Sequence, residues 1–335
     1  MVTIKDVAQL AKVSKGTVSN VLSRKRPISK EVQERVLEAA RQLNYRPNYL
    51  ARSLAIQQTG IISLNMPMES TKFSPFHFSL LNGVLNECSE RGYRVLVNRL
   101  SNGDEFRPSD PIDGEIILDP SESDPRIKER QEQKMPFILV GKPPKKFEKS
   151  ISYVDNDNIQ IALQVTDYLL SLGHKHILFL NAPKERTVSQ ERWLGYKMAL
   201  EEKGYTTQQH LVHFKTNNLP SFDFAYEKTT MLLDKLKEIT AIITDSNHMA
   251  MGVYQAARDK GLHIPDDLSV ISFSNDINYV NHFNPPLSCA NLKAELLGKE
   301  AAKMLLDQLS TQDKVIKRVM ISSDFMDQGS CKSII

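Results

Sequence analysis

Residues 1–58 carry 5 Lys and 6 Arg against 1 Asp and 3 Glu, a formal +7 in a chain of 335 residues whose total is only +3. Apolar side chains at helical spacing run through the same stretch, so it reads as three small helices around one small core with a basic surface. Thr3 is placed to cap the first, whose inner face carries Ile4, Val7, Ala8 and Ala11. Lys12-Val13-Ser14 breaks the period, and Ser14 can cap a second helix with Val18, Val21 and Leu22 turned inward. A third runs from Ser29 or Lys30 to Leu43, with Val32, Val36, Leu37, Ala40 and Leu43 as its buried stripe. Two short helices joined by a tight break are the pattern of a helix-turn-helix, and the basic surface is the electrostatic footprint of phosphate binding. Residues 1–47 are therefore expected to be a small all-α headpiece, with double-stranded DNA as its partner.

On the second helix Lys15, Gly16, Ser19 and Asn20 lie outside near the N-terminus, where a recognition helix presents side chains to base edges. Pro47 forbids continuation of the third helix through Arg46, and residues 48–55 form another short helical pattern with Asn48 as its cap. Eight residues do not hold a helix alone in water, because nucleation is too costly. The stretch 48–58 reads as a hinge that orders on DNA or against a partner chain; the alternative is a solvated linker.

Thr3-Ile4-Lys5-Asp6-Val7-Ala8, Val13-Ser14, Thr17-Val18-Ser19, Leu43-Asn44-Tyr45-Arg46-Pro47-Asn48 and Ala51-Arg52-Ser53-Leu54 resemble the successive N-terminal motifs of the lactose-repressor (LacI/GalR) family of bacterial transcription regulators. The resemblance implies base reading by Lys15, Gly16 and Asn20. Lys can donate to guanine, Asn can pair bidentately with adenine, and Gly16 can only permit close approach. Ser14, Thr17, Ser19 and Tyr45 suit phosphate contacts, which set register. It further implies a hinge helix paired across a homodimer in the minor groove, with Leu54 wedged between base steps, Ala51 allowing close approach and Arg52 on phosphate. Ala55 stands where several relatives carry a minor-groove lysine, so that contact is expected to be missing.

The remaining 277 residues alternate strand with helix. Runs at 60–65, 93–97, 113–118, 137–141, 176–180, 241–244 and 268–273 read as strands, with helices between several of them, which gives two doubly wound parallel-sheet α/β subdomains. Residues 59–335 form one regulatory and dimerisation domain: about 59–158 with 290–322 in the first subdomain, and about 159–289 with 323–335 in the second. Open parallel sheets bind ligands beyond the carboxyl ends of their strands, so two facing units create a cleft. The segments that follow strands, including Asp119, Gly141-Lys142, residues 186–192 and residues 245–248, should line it.

The family's regulatory domain is of periplasmic-binding-protein type, with a small sugar effector in that cleft. Ser189-Gln190-Glu191-Arg192-Trp193-Leu194-Gly195-Tyr196 is similar to its Ser-x-x-Arg-x-x-Gly-Phe/Tyr signature, which implies that Arg192 contacts effector, by a fork of donors that lysine lacks. The other reading is a helix-surface arginine. Ser246 and Asn247 stand where the family commonly has Asn-Asp, and Ser274 and Asn275 where it has two aspartates, so a charged acceptor is replaced by neutral groups. Asp157 either lines the cleft or caps the following helix. Phe73, Phe76, Trp193 and Phe273 suit stacking on sugar faces or plain core. Pro136-Phe137-Ile138-Leu139-Val140-Gly141-Lys142-Pro143 and Val154-Asp155-Asn156-Asp157-Asn158 resemble the Gram-positive maltose-operon subgroup, which implies a maltose-type effector.

Enzyme readings find no support. Cys88, Cys289 and Cys331 lack metal-ligand spacing, His174 and His176 sit at a helix-to-strand turn, and no phosphate loop, nucleophile elbow or dinucleotide fingerprint occurs. Neither a cofactor nor a metal is expected. Without a secretory signal or a long apolar run, a cytoplasmic location with no membrane association is expected. The short tail after Gly329 lacks leucine heptads, so a dimer is expected rather than a tetramer. The combined expectation is a repressor of a carbohydrate-utilisation operon; the alternative is a regulator controlled by a phosphorylated corepressor protein.

Overall fold

The computed structural model describes residues 2–23, 27–45, 53, 58–66, 73–98, 111–216, 219–274, 277–311 and 315–335. The chain divides into two compact units, Met1–Gly60 and Ile61–Ile335.

In the first unit the expected three helices are α1 (Ile4–Leu10), α2 (Lys15–Ser23) and α3 (Lys30–Gln42). Thr3 closes a reciprocal cap on α1: its hydroxyl accepts from the Lys5 N–H at 3.3 Å, and its own N–H donates to the Asp6 carboxylate at 2.7 Å. Ser14 caps α2 by accepting from the Thr17 N–H at 3.0 Å. Val7, Ala8, Ala11, Val18, Val21, Val36, Ala39 and Ala40 form the shared core. Leu37 departs from expectation and is 41% exposed. It sits one residue, about 100° of helical rotation, beyond Val36, which puts it off the stripe that Ala39 and Ala40 complete.

The second unit opens with β1 (Ile61–Asn65), α4 (Pro75–Glu90), β2 (Arg94–Asn98), β3 (Gly114–Leu118), α5 (Pro125–Glu132), β4 (Phe137–Val140) and β5 (Tyr153–Asn156). The chain then leaves for α6 (Asn158–Ser171), β6 (Ile177–Asn181), α7 (Thr187–Glu202), β7 (Val212–Phe214), α8 (Ser221–Lys235), β8 (Ala241–Thr244), α9 (Asn247–Asp259), β9 (Ser269–Ser274), α10 (Ile277–Val280) and β10 (Ser288–Asn291). It returns through α11 (Ala294–Ser310) and β11 (Arg318–Ile321), and crosses once more to β12 (Asp324–Met326). Two sheets result, ordered β11-β5-β4-β3-β1-β2 and β12-β10-β9-β8-β6-β7. The first is parallel throughout; in the second only β12 runs antiparallel, beside β10.

Strands such as Gly114–Leu118, Ile177–Asn181 and Ala241–Thr244 are buried at every position. Continuous rather than alternating burial follows from helices covering both faces of a parallel sheet. On the first sheet α4 and α11 cross closely enough that a Cβ on Gly83 would stand 1.9 Å from the Glu295 carbonyl oxygen. On the second, α6 and α7 meet at Gly195, where a Cβ would stand 2.1 Å from the Ile159 carbonyl oxygen.

Three crossings join the sheets, after Asn156, Asn291 and Ile321. The crossing expected near residue 290 lies inside β10 and falls instead at Leu292-Lys293, because Ser288-Cys289-Ala290-Asn291 pairs fully with β9. The Asn156 side-chain amide donates to the carbonyls of Leu292 at 3.2 Å and Ile321 at 2.8 Å. One buried amide thus ties all three crossings together.

Candidate functional site

The headpiece carries the residues expected to read bases at the exposed N-terminal end of α2. Lys15, Gly16 and Ser19 are exposed, Asn20 and Thr17 half-buried, and Val18 and Val21 hold α2 to the core beneath them. The Ser14 hydroxyl lies 2.9 Å from that of Thr17 and also caps α2. Both side chains therefore shape the helix start as well as facing outward. Tyr45 is half-buried against the headpiece core. Asn48, Ala51, Arg52 and Leu54 lie outside the described residues.

In the second unit a cleft lies between the two sheets at the carboxyl ends of their strands. The first half contributes the start of α4, Asp119 and Pro120 after β3, Val140 and Gly141 at the end of β4, and Asp155 and Asn156 of β5. The second contributes residues 186–188 and Arg192 of α7 and residues 245–248 at the start of α9.

Arg192 is 5% exposed and points into this cleft from the first turns of α7. Its Nη1 donates to Asp245 Oδ1 at 2.6 Å and its Nε to Asn158 Oδ1 at 3.1 Å, while the guanidinium lies 4.2 Å from the centroid of the Phe273 ring. Paired, hydrogen-bonded and stacked, the cation is held in one geometry, which excludes the helix-surface reading. Beside it Asn247 is 2% exposed, and among the described residues neither its amide oxygen nor its amide nitrogen has a partner. A buried amide left with both a donor and an acceptor unused costs about 1–3 kcal/mol per group until something occupies them.

Asp155 is the second carboxylate of the cleft. Its Oδ2 accepts from the Lys142 N–H at 2.8 Å and its Oδ1 from the Asn156 N–H at 2.8 Å and the Asn158 amide at 3.1 Å. Burial, and next the charge of Glu191, push its carboxyl up to about 7 against these N–H groups. Lys142 reaches across the cleft to Glu191 at 3.0 Å.

The residues expected on effector divide. Phe76, Arg192, Ser246 and Asn247 line the cleft, Ser246 also capping α9 by accepting from the Met249 N–H at 3.4 Å. Phe73 does not: it packs on the first subdomain's core, 5.3 Å from the Phe78 ring. Asp157 takes the capping alternative, accepting from the Gln160 N–H at 3.0 Å, and Asp155 and Asn158 on either side face the cleft instead. Trp193 follows Arg192 by one residue and is rotated off the lining face; Lys197 Nζ lies 5.9 Å from its ring centroid. Phe273 is core beneath Arg192. The backbone of Ser274 ends β9, its side chain and Asn275 lying outside the described residues. His77 also lines the cleft, and Ser74-Pro75 before it marks a helix start one loop beyond β1, the position where doubly wound units bind ligand.

His174 is buried and structural, with Nδ1 2.9 Å from the Thr240 hydroxyl and Nε2 3.0 Å from the Lys332 carbonyl. Among the described residues no group of side chains is arranged to hold a metal ion, and no helix is long and apolar enough to cross a membrane.

Residues 3–48 match the family described as bacterial regulatory proteins, lacI family, and residues 166–331 match the periplasmic binding protein-like domain. The chain is 33% identical over 330 residues to the HTH-type transcriptional regulator MalR of Streptococcus pneumoniae, covering 95% of each. It is similar to the solved transcriptional regulator CelR–cellobiose complex, with 27% identity and a TM-score of 0.74, over 98% of this chain and 100% of that one. The lac repressor dimer bound to operator and an anti-inducer shares the fold, with a TM-score of 0.82 at 21% identity over 99% of each chain. Headpiece, paired sheets and full-length similarity agree: the chain belongs to the lacI family of bacterial regulatory proteins, DNA-binding transcriptional regulators.

Proposed function

We propose that this protein is a homodimeric, cytoplasmic repressor of a carbohydrate-utilisation operon, whose affinity for a near-palindromic operator is changed by a small sugar, maltose-type or another glucoside, held between its two subdomains. It needs no cofactor and catalyses no reaction. The observation that carries the effector reading is the unpartnered Asn247 amide beside the anchored Arg192. Adjacent sugar hydroxyls each offer a donor and an acceptor, which is what such an amide and a guanidinium edge can bind together. The similar regulator CelR, solved in complex with cellobiose, supports the same ligand class.

In this reading residues 1–47 bind DNA, 48–58 form the hinge and 59–335 form the effector and dimer domain. Lys15, Gly16 and Asn20 meet base edges; Ser14, Thr17, Ser19, Tyr45 and Arg52 meet phosphates; Asn48, Ala51 and Leu54 belong to the paired hinge. Sugar binding changes how the first subdomains sit in the dimer and so orders or melts the hinge. The ligand acts only through its different affinity for the two arrangements.

Operator binding measured by fluorescence anisotropy during titration with maltose, cellobiose and other glucosides tests this. A shift in operator affinity with one of them is expected. No response to any sugar, together with a response to a phosphorylated carrier protein, would overturn it.

A further inference from the structure

Asp119 sits where the two halves of the cleft meet. It follows β3 with φ of 49°, a left-handed conformation that turns it into the cleft, and its Oδ2 is approached by His77 Nε2 at 3.3 Å and by Arg186 Nη1 at 3.4 Å. The start of α4 sets the histidine. The Ser74 N–H donates to His77 Nδ1 at 3.1 Å, so Nδ1 is the accepting nitrogen and the ring proton stands on Nε2, facing Asp119. Arg186 comes from the opposite half. Around it the backbone is seamed across the cleft: Ser121 bridges Arg186, the Glu122 N–H donates to the Glu185 carbonyl at 3.1 Å, and the Thr187 N–H donates to the Pro120 carbonyl at 3.2 Å.

Both bonds to Asp119 fall on Oδ2, and among the described residues no partner engages Oδ1. Burial opposes the charge of Asp119, but Arg186 and then His77 outweigh it and hold the carboxyl well below the usual carboxylate range. Among the described residues the two arginines that line the cleft are each committed to a carboxylate, Arg186 to Asp119 and Arg192 to Asp245. An anionic ligand would therefore meet, among the described residues, carboxylates without an uncommitted guanidinium to balance it, whereas a hydroxyl finds a charged acceptor.

We infer that Asp119 is a specificity-determining residue of the cleft: its Oδ1 accepts from a hydroxyl of an uncharged sugar and rejects the phosphorylated form of the same sugar, and its Arg186 pair makes that contact depend on the opposite half of the cleft. The inference rests on the reading of the cleft as a sugar site. His77 is a positioning residue, aiming the carboxylate through Nε2.

Calorimetric titration of the full chain with neutral mono- and disaccharides and with the 6-phosphates of the same sugars tests it. The wild type should bind a neutral sugar at least about 100-fold more tightly than its phosphate, and Asp119→Asn should weaken neutral-sugar binding by at least about tenfold and narrow that discrimination. Arg186→Gln, which leaves Asp119 its charge, should weaken neutral-sugar binding while preserving rejection of the phosphate, and keeps the test open should Asp119→Asn not fold. If phosphorylated sugar binds the wild type as well as the neutral one, or if Asp119→Asn keeps both affinity and discrimination, the role of Asp119 is wrong while the sugar site stands. If no sugar of either kind binds the wild type, both fall.

Discussion

The side-chain amide of Asn156 donates to the main-chain carbonyl of Ile321 at 2.8 Å, tying the first crossing between the subdomains to the third. The same nitrogen reaches the second crossing at the Leu292 carbonyl. Relative motion of the two sheets has to pass through these three strands, so this residue sets their common pivot. Asn156→Ala should lower the unfolding free energy by about 1–3 kcal/mol, because one buried and one part-buried carbonyl lose their donor. Urea denaturation measures the loss. An unchanged midpoint would show that the crossings hold one another without it.

Arg192→Lys keeps the charge beside Asp245 but loses the planar fork and the seat on Phe273. Effector affinity should fall by at least about tenfold, with operator affinity in the absence of effector within about twofold of wild type. Parallel calorimetry and anisotropy check both halves, and equal losses in both would point to a folding defect instead.

Gly195 occupies the last fixed position of the Ser-x-x-Arg-x-x-Gly pattern for a steric reason, its Cα hydrogen facing the Ile159 carbonyl across the α6–α7 contact. Gly195→Ala should destabilise by about 1–3 kcal/mol through forced separation of the helices. Thermal unfolding reads this as a lowered Tm, and a Tm equal to that of wild type would mean that the helices can part without cost.

Asp155 should give stability a pH dependence at mildly acid pH. Its folded-state carboxyl titrates at about 7, raised above its ordinary value by burial and then by Glu191. Between the unfolded and folded values the unfolded chain ionises first, so this group's contribution is fully present at low pH and is lost as pH rises to about 7. Glu191→Gln removes the neighbouring charge and should move the end of that decline to lower pH. Denaturant titrations at intervals from pH 5 to 8 follow it, and a decline at the wild-type position would remove Glu191 as a cause.

Asn20→Ala should relax operator preference at one base position, at a cost of about 1–3 kcal/mol for the preferred base. Lys15→Ala should relax preference at the guanine it reads and, because a cation leaves the DNA face, also flatten the salt dependence of binding. Competition among operator variants at two salt concentrations separates the effects, and a uniform loss across variants for Asn20→Ala would make it a phosphate contact.

Local pattern carried far where one residue type has one local job. Thr3 and Ser14 cap because a hydroxyl before a helix accepts the nearest free N–H, and Ile61–Asn65 or Ala241–Thr244 read as strands because buried parallel strands are mostly apolar. Local pattern failed where competing jobs use the same residue. Asp157 could cap or line, and only the direction in which β5 delivers α6 made it the cap and sent Asp155 and Asn158 to the cleft. The long α11 and the strand β10 went unread because their burial is set by α4 and β9, which lie far away in the chain.

The sequence alone determined the basic helix-turn-helix, the repeated strand–helix alternation and Arg192 as the residue to watch, since each is written in spacing, charge or a short motif. Tertiary structure decided which side chains meet. Asp119 faces Arg186 because three crossings fold the two sheets against each other. Arg192 faces Asp245 because β6 and β8 are neighbours in the second sheet, and Asn156 bonds Ile321 because β5 and β11 pair in the first. The hydrogen bonds that join residues 53 to 165 positions apart depend on topology, and no local propensity encodes them.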